Sequence, residues 1–183
     1  MKSAKKISEV RPDPTTEAAG FARNVNNDPL ETKEINDMKR GYSCIGLDNP
    51  KDVHNMGAVL RAARCFGCGL VATTGQRYRR ACTDTMAAYR HLPLLQVDDL
   101  HTLIPFDCVP VAVEIVEGAR PLTGYTHPER AFYVFGAEDA TLGQRVLSWC
   151  RDVVYIPTNG CLNLAACVNV VLYDRFCKRG GDQ

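Results

Sequence analysis

Phe132-Tyr133-Val134-Phe135-Gly136-Ala137-Glu138-Asp139 places four large β-favouring residues directly before a glycine and two acids. A short unbroken apolar run bounded in this way reads as a strand buried on both faces, as in a parallel sheet. A strand that closes on glycine at the carboxyl edge of such a sheet lets a ligand approach the main chain. Taken alone, Gly136 is equally well explained by a turn. Glu138 is equally well explained by the start of a helix, where acids are favoured.

Similar runs lie on both sides. Strands are expected at 42–47, 70–74, 94–97 and 109–116 before this one, and at 153–156 after it. Helical patterns separate them. Asp52 is placed to cap a helix that runs to about Phe66, with Val53, Met56, Val59, Leu60 and Ala63 at helical spacing and Gly67 and Gly69 as its stop. Shorter helices are expected at 83–90, 98–103 and 142–150, and a long one at 162–178. Strands that alternate with helices predict an α/β fold, a mostly parallel sheet with helices on both faces. Ligands of such sheets sit beyond the carboxyl ends of the strands.

Residues 1–28 are polar, carry Pro12, Pro14, Asn24, Asn26 and Asn27, and read as a tail. One polar helix is expected at 30–39, with Asp28 as cap and Pro29 at its first position. The domain organisation that follows is a tail over 1–40 and one domain over 41–183. At 183 residues the chain has room for a real core, and its 45% hydrophobic content is ordinary. No apolar run approaches a membrane span. The basic start, Met1 to Lys6, is not followed by an apolar signal region, so a cytoplasmic location is expected.

Nine scattered cysteines read as buried reduced thiols of a cytosolic protein. Cys65-Phe66-Gly67-Cys68 has neither a second pair nor a histidine cluster to complete a zinc site, so no metal is expected. Gly67-Cys68-Gly69-Leu70-Val71-Ala72 fits a dinucleotide-binding pattern by letter. That pattern needs a strand before it and a helix after it, and here the order is reversed. The net charge is +1, yet from His54 to Val97 six arginines (61, 64, 77, 79, 80 and 90) face one acid, Asp84. A basic stripe on a near-neutral chain is the footprint of a phosphate binder, with a solvated surface as the plainer explanation.

Two further stretches combine polar groups with apolar surroundings. Asn55-Met56-Gly57-Ala58-Val59-Leu60-Arg61 lies in the first helix, Asn55 near its start, where free N–H groups favour anions. Asn55 and Arg61 are six residues apart and diverge by roughly a third of a circle. Gly57 costs about 1 kcal/mol relative to alanine in a helix, which close approach of another group would justify. Ile156-Pro157 ends the last strand, and Cys161-Leu162-Asn163-Leu164 enters the last helix. Asn163 is placed as an N-cap, or as an amide that orients an oxygen or reads a base.

These three stretches, in this order, resemble the three motifs of the SpoU/TrmH family of RNA ribose 2′-O-methyltransferases in the SPOUT superfamily. The similar texture runs from about Gly41 to Lys178. The resemblance implies a fold whose carboxyl-terminal part forms a trefoil knot, S-adenosylmethionine as cofactor, and a ribose 2′-hydroxyl of tRNA or rRNA as acceptor. It also implies a homodimer, in which an arginine of the first motif completes the site. Carried over residue by residue, Arg61 is the catalytic arginine and Asn55 its companion, with Glu138 and Asn163 from the second and third motifs. Main chain around Gly136, Ala137, Ile156, Cys161 and Leu162 would hold the cofactor, flanked by Val113 and Glu114. The basic loop Arg77, Tyr78, Arg79 and Arg80, with Arg64 and Arg90, would bind RNA, the arginines on phosphates and the tyrosine on an unpaired base.

The chain departs from the family at three places, one of them a connector from Pro157 to Cys161 that is shorter than in many relatives. Cys161 stands where serine is usual, and a thiol is the weaker hydrogen-bonding group. Thr141 stands where glycine is usual, and would be strained if that turn needed a positive φ. These departures keep open a non-catalytic RNA-binding protein of the same fold. A methyltransferase for a base nitrogen is the other alternative, and the asparagine-and-arginine first motif argues against it.

Overall fold

The computed structural model describes residues 41–75 and 90–180. The chain divides at the Lys39–Arg40 junction, and all the described residues belong to the second unit, Arg40–Gln183. The helix expected at 30–39, and all but the last residue of the one expected at 83–90, fall outside the described residues.

Seven strands follow in order: β1 Ser43–Leu47, β2 Leu70–Thr73, β3 Leu94–Gln96, β4 Val109–Val113, β5 Arg120–Pro121, β6 Ala131–Phe135 and β7 Asp152–Tyr155. They form one sheet in the order β3-β2-β1-β6-β4-β7-β5. Every neighbouring pair is parallel. The opening stretch, β6, is central, and all five of its residues are buried.

Successive side chains of a strand point to opposite faces, and the core divides accordingly. Ile45, Leu47, Val71, Val111, Tyr133, Phe135 and Val154 share one face with helices α1, Val53–Cys65, and α3, Leu164–Lys178. The helices contribute Met56, Val59, Leu60 and Ala63, and Val168, Val171 and Leu172. Cys44, Ala72, Ala112, Phe132 and Val134 share the other face. Leu100 of a 3-10 turn and Val146 of α2, Gln144–Leu147, cover it. Gly46 in the middle of β1 makes room there, since a Cβ on it would lie 2.8 Å from the Phe132 ring.

Three expectations change. β4 stops at Val113 rather than 116, because the Glu114 side chain takes the N–H of Ile115 (2.9 Å) and the ladder ends. β5 is a two-residue edge strand that its sequence does not announce, and Pro121 is tolerated because an edge leaves one side unpaired. α2 is four residues long rather than nine. Leu142 gives its N–H to Glu114, and beyond Ser148 the N–H groups of Trp149 and Cys150 reach only three residues back. The cysteines also divide. Cys44, Cys68 and Cys108 are buried, and burial pushes the Cys44 thiol up to about 12. Cys65, Cys161 and Cys177 are exposed, because they fall at helix ends and in a loop rather than in strands.

At the amino edge of the sheet, α3 is fastened through charge. The buried Arg175 donates to the carbonyls of Pro128 (2.6 Å), Glu129 (2.7 Å) and Tyr42 (3.2 Å). His127 Nδ1 lies 2.6 Å from the Tyr133 hydroxyl, and its Nε2 lies 2.8 Å from Asp174. Burial pushes Tyr133 up to about 12, so the phenol keeps its proton and donates it to Nδ1, while Nε2–H donates to the carboxylate. Burial also holds His127 below its ordinary value of 6.5. The neutral ring's contribution to stability is therefore complete above 6.5 and is lost as the pH falls below it. Urea midpoints should drop between about pH 7.5 and pH 5. In His127→Gln that drop should shrink, although the variant starts from lower stability.

Candidate active site

The carboxyl ends of β6, β4 and β7, three neighbours in the sheet, open onto one cavity of about 840 Å³. That volume suits a cofactor-sized molecule. β6 contributes Phe135, Gly136 and Ala137, β4 contributes Val113, Glu114 and Ile115, and β7 contributes Tyr155 and Ile156. The turn into α3 adds Thr158, Gly160, Cys161, Leu162 and Asn163, and Cys167 on its first turn completes that side. Gly136 is favoured by close approach. The loop after it folds back so that a Cβ there would lie 3.1 Å from the Ala140 carbonyl oxygen and 3.3 Å from the Leu142 nitrogen.

Glu138 stands on the rim, and its carboxylate is fully engaged. Oε2 accepts the Lys51 N–H at 2.9 Å, and Oε1 accepts the Asn55 side-chain amide at 2.8 Å and the Asp52 N–H at 3.3 Å. Partial burial acts to raise its pKa. The amide and the main-chain donors outweigh that and hold the carboxyl below its ordinary 4.5. Lys51 and Asp52 precede α1, and Asp52 caps it by accepting the His54 N–H at 2.7 Å. The second motif therefore holds the beginning of the helix that carries the first.

Asn55 is buried at that contact, whereas Arg61 lies on the exposed side of the same helix and is not among the cavity-lining residues. Asn163 lines the cavity and also caps α3, its Oδ1 accepting the Ala166 N–H at 2.7 Å. Both readings of that residue describe one geometry, since the cap occupies the oxygen and the amide nitrogen is left as a donor. Thr158 donates to the Gly160 carbonyl at 2.6 Å and so tightens the turn before it. All seven residues expected around a cofactor, Val113, Glu114, Gly136, Ala137, Ile156, Cys161 and Leu162, line this one cavity.

Thr141 does not have a positive φ; among the described non-glycine residues only Asn49 and Asp107 do. The substitution of glycine there therefore carries no backbone strain. Arg64 and Arg90 are exposed. Arg77, Tyr78, Arg79 and Arg80 lie outside the described residues. Sequence reading overlooked Ile115, Tyr155, Thr158 and Cys167. The first two adjoin strand ends already singled out, and Cys167 is one helical turn from Asn163, so spacing alone could have found them. Among the described residues no group of three or more His, Cys, Asp or Glu is placed to hold a metal.

Residues 43–173 match the SpoU rRNA Methylase family. The chain is 29% identical over 150 residues to the 23S rRNA (guanosine-2′-O-)-methyltransferase RlmB of Acinetobacter baylyi, a match that covers 75% of this chain and 60% of that protein. It therefore spans less than two thirds of that relative. Its fold is similar to that of the SpoU methyltransferase AviRb from Streptomyces viridochromogenes in complex with AdoMet, with a TM-score of 0.69 at 18% identity over 79% of this chain and 60% of the other. A TrmH/SpoU tRNA modifying enzyme of A. aeolicus superposes with a TM-score of 0.68 at 17% identity over 84% of both chains.

Asn55→Ala removes one donor from Glu138 and leaves the two main-chain donors in place. It should cost about 1 kcal/mol in a denaturant titration near neutral pH. Glu138 is stabilising while ionised, so the difference from wild type should narrow as the pH falls through and below 4.5.

Proposed function

The chain belongs to the SpoU rRNA Methylase family, and on that premise we propose that it methylates a ribose 2′-hydroxyl of tRNA or rRNA, with S-adenosylmethionine as methyl donor. The observation that carries this reading is the meeting of three sequence-distant segments, 135–141, 155–164 and 113–115, on one cavity at the carboxyl edge of a parallel sheet. The cavity suits the cofactor in size, in its apolar walls of Val113, Ile156 and Leu162, and in the main chain bared at Gly136. Bound there, S-adenosylmethionine supplies a methyl group on a positively charged sulfur.

The rest of the chemistry falls to the chain's own residues. The ribose oxygen has to be held in line with the methyl carbon at about 3 Å. Arg61 grips the neighbouring phosphate with its fork of donors, orients the hydroxyl and stabilises the negative charge that develops on the oxygen. A guanidinium whose pKa exceeds roughly 12 is a poor proton acceptor, so the proton leaves to the phosphate or to solvent. Glu138 and Asn55 act as positioning residues, fixing the start of the helix that carries Arg61. Asn163 offers its amide N–H to the substrate or cofactor at the entrance to α3.

Arg61 is exposed and is not among the residues that line the cavity of its own chain, so the reading includes a homodimer in which a second copy supplies it. Exposed Leu162, Val170 and Tyr173, beside and along α3, support a face that is covered by another copy. The carboxyl-terminal trefoil knot belongs to the same reading. So does a cytoplasmic location; no described helix is long and apolar enough to cross a membrane. The unstrained Thr141 removes one motive for a non-catalytic protein.

Arg61→Ala should lower methylation of cellular RNA by about a hundredfold or more while S-adenosylmethionine still binds in calorimetry. Arg61→Lys should recover little, because the fork is lost. Near-normal turnover in the alanine variant would remove Arg61 from the mechanism. Replacing Arg77, Arg79 and Arg80 together should weaken RNA binding and lower the slope of log affinity against log salt by about 2 to 3. An unchanged slope would place the RNA footprint elsewhere.

A further inference from the structure

Glu114 follows β4 and lines the cavity, half-buried, and each of its oxygens accepts a main-chain N–H. Oε1 accepts the N–H of Ile115 at 2.9 Å, and Oε2 accepts that of Leu142 at 2.7 Å. Leu142 closes the loop that leaves β6 at Gly136, and a Cβ on Gly136 would lie 3.5 Å from the same Oε2. The carboxylate is thus built into the wall rather than hung at its edge.

The cavity lining carries three acids, Glu114, Glu138 and Asp139, and no Lys, Arg or His among the described residues. Asp139 is neutralised by Lys51 at 3.3 Å. Glu138 is met by N–H dipoles at the rim. Glu114 is likewise met by dipoles, and no described cation forms an ion pair with it. A carboxylate in this wall projects a negative potential into a partly desolvated space, where a ligand's charge counts for more than it does in water. Methyl transfer changes that ligand charge, since a sulfonium becomes an uncharged thioether.

The geometry points to Glu114 as the residue that makes the cavity distinguish fresh cofactor from spent product. Its charge favours the sulfonium of S-adenosylmethionine over the thioether of S-adenosylhomocysteine, while its bond to Leu142 holds the wall for both. The inference rests on the methyltransferase reading. Substitution separates the two roles. Glu114→Gln keeps an acceptor for Leu142, removes the charge and gives up only the exposed bond from the neighbouring Ile115 N–H. Glu114→Asp keeps the charge on a shorter side chain that does not reach Leu142.

Calorimetry on the full chain, with S-adenosylmethionine and S-adenosylhomocysteine as ligands, is the test. In Glu114→Gln the Kd for S-adenosylmethionine should rise by about tenfold, the change that about 1.4 kcal/mol of lost attraction produces. The Kd for S-adenosylhomocysteine should stay within about twofold of wild type. Glu114→Asp should weaken both ligands and keep the wild-type ratio between them, so a poorly folded glutamine variant does not end the test. Equal weakening of both ligands in Glu114→Gln, or no change in either, would overturn this inference and leave the methyltransferase reading standing. Wild-type protein that binds neither ligand would overturn both.

Discussion

The carboxylate of Glu138 joins two parts of the chain that are more than eighty residues apart. It belongs to the loop that leaves the central strand β6, and it binds the N–H groups of Lys51 and Asp52 together with the Asn55 amide. Those donors are the start of α1. A helix start offers main-chain N–H groups that its own turns do not use, and a carboxylate is a strong partner for them. One side chain therefore fixes both the mouth of the cavity and the direction in which α1 carries Arg61. In this chain the stretches around Asn55 and Glu138 are two halves of one hydrogen-bonded unit.

The two edges of the sheet are held by different means. At the amino edge, Arg175, His127, Tyr133 and Asp174 form a buried network that fastens α3 to the loop before β6. Its donors and acceptors satisfy one another, which is the condition for burying charge without large cost. At the carboxyl edge, the polar groups are aimed at loops and at open space. A parallel sheet produces this asymmetry because all its strands end on the same side, so loops that carry function collect there.

The departures from the family pattern acquire physical meaning in this setting. Thr141 is compatible with its loop because the turn does not use the left-handed region, and because the next residue is anchored to Glu114 rather than by a glycine bend. Cys161 lies exposed at the entrance to α3, where Asn163, not residue 161, provides the cap. Thr141 is not asked for a positive φ, and Cys161 is not asked for the cap. The loop over Gly136 is shaped by a carboxylate from the neighbouring strand, a device that pairs two strand ends directly.

Much of the fold was legible in the residues. Apolar runs such as Phe132–Phe135 announced parallel strands, Asp52 announced α1, and the site was expected at the carboxyl edge because of Gly136. The misjudged elements were those whose limits depend on where one side chain turns. β4 is cut short by Glu114, which takes the N–H of its own neighbour Ile115, and α2 begins late because the same carboxylate takes the N–H of Leu142 from across the cavity, which no local pattern in 142–150 records. β5 is a strand only because β7 lies beside it. The motifs determined which residue types stand near the chemistry, since spacing and strand ends follow from local covalent geometry and burial. Helix geometry already parts Asn55 from Arg61; tertiary structure alone decided that Glu138 faces Asn55, and that Asn55 is the buried one of the two. Those outcomes depend on which groups meet across the sheet's edge, and hydrogen bonds between residues far apart in the chain have no signature along it.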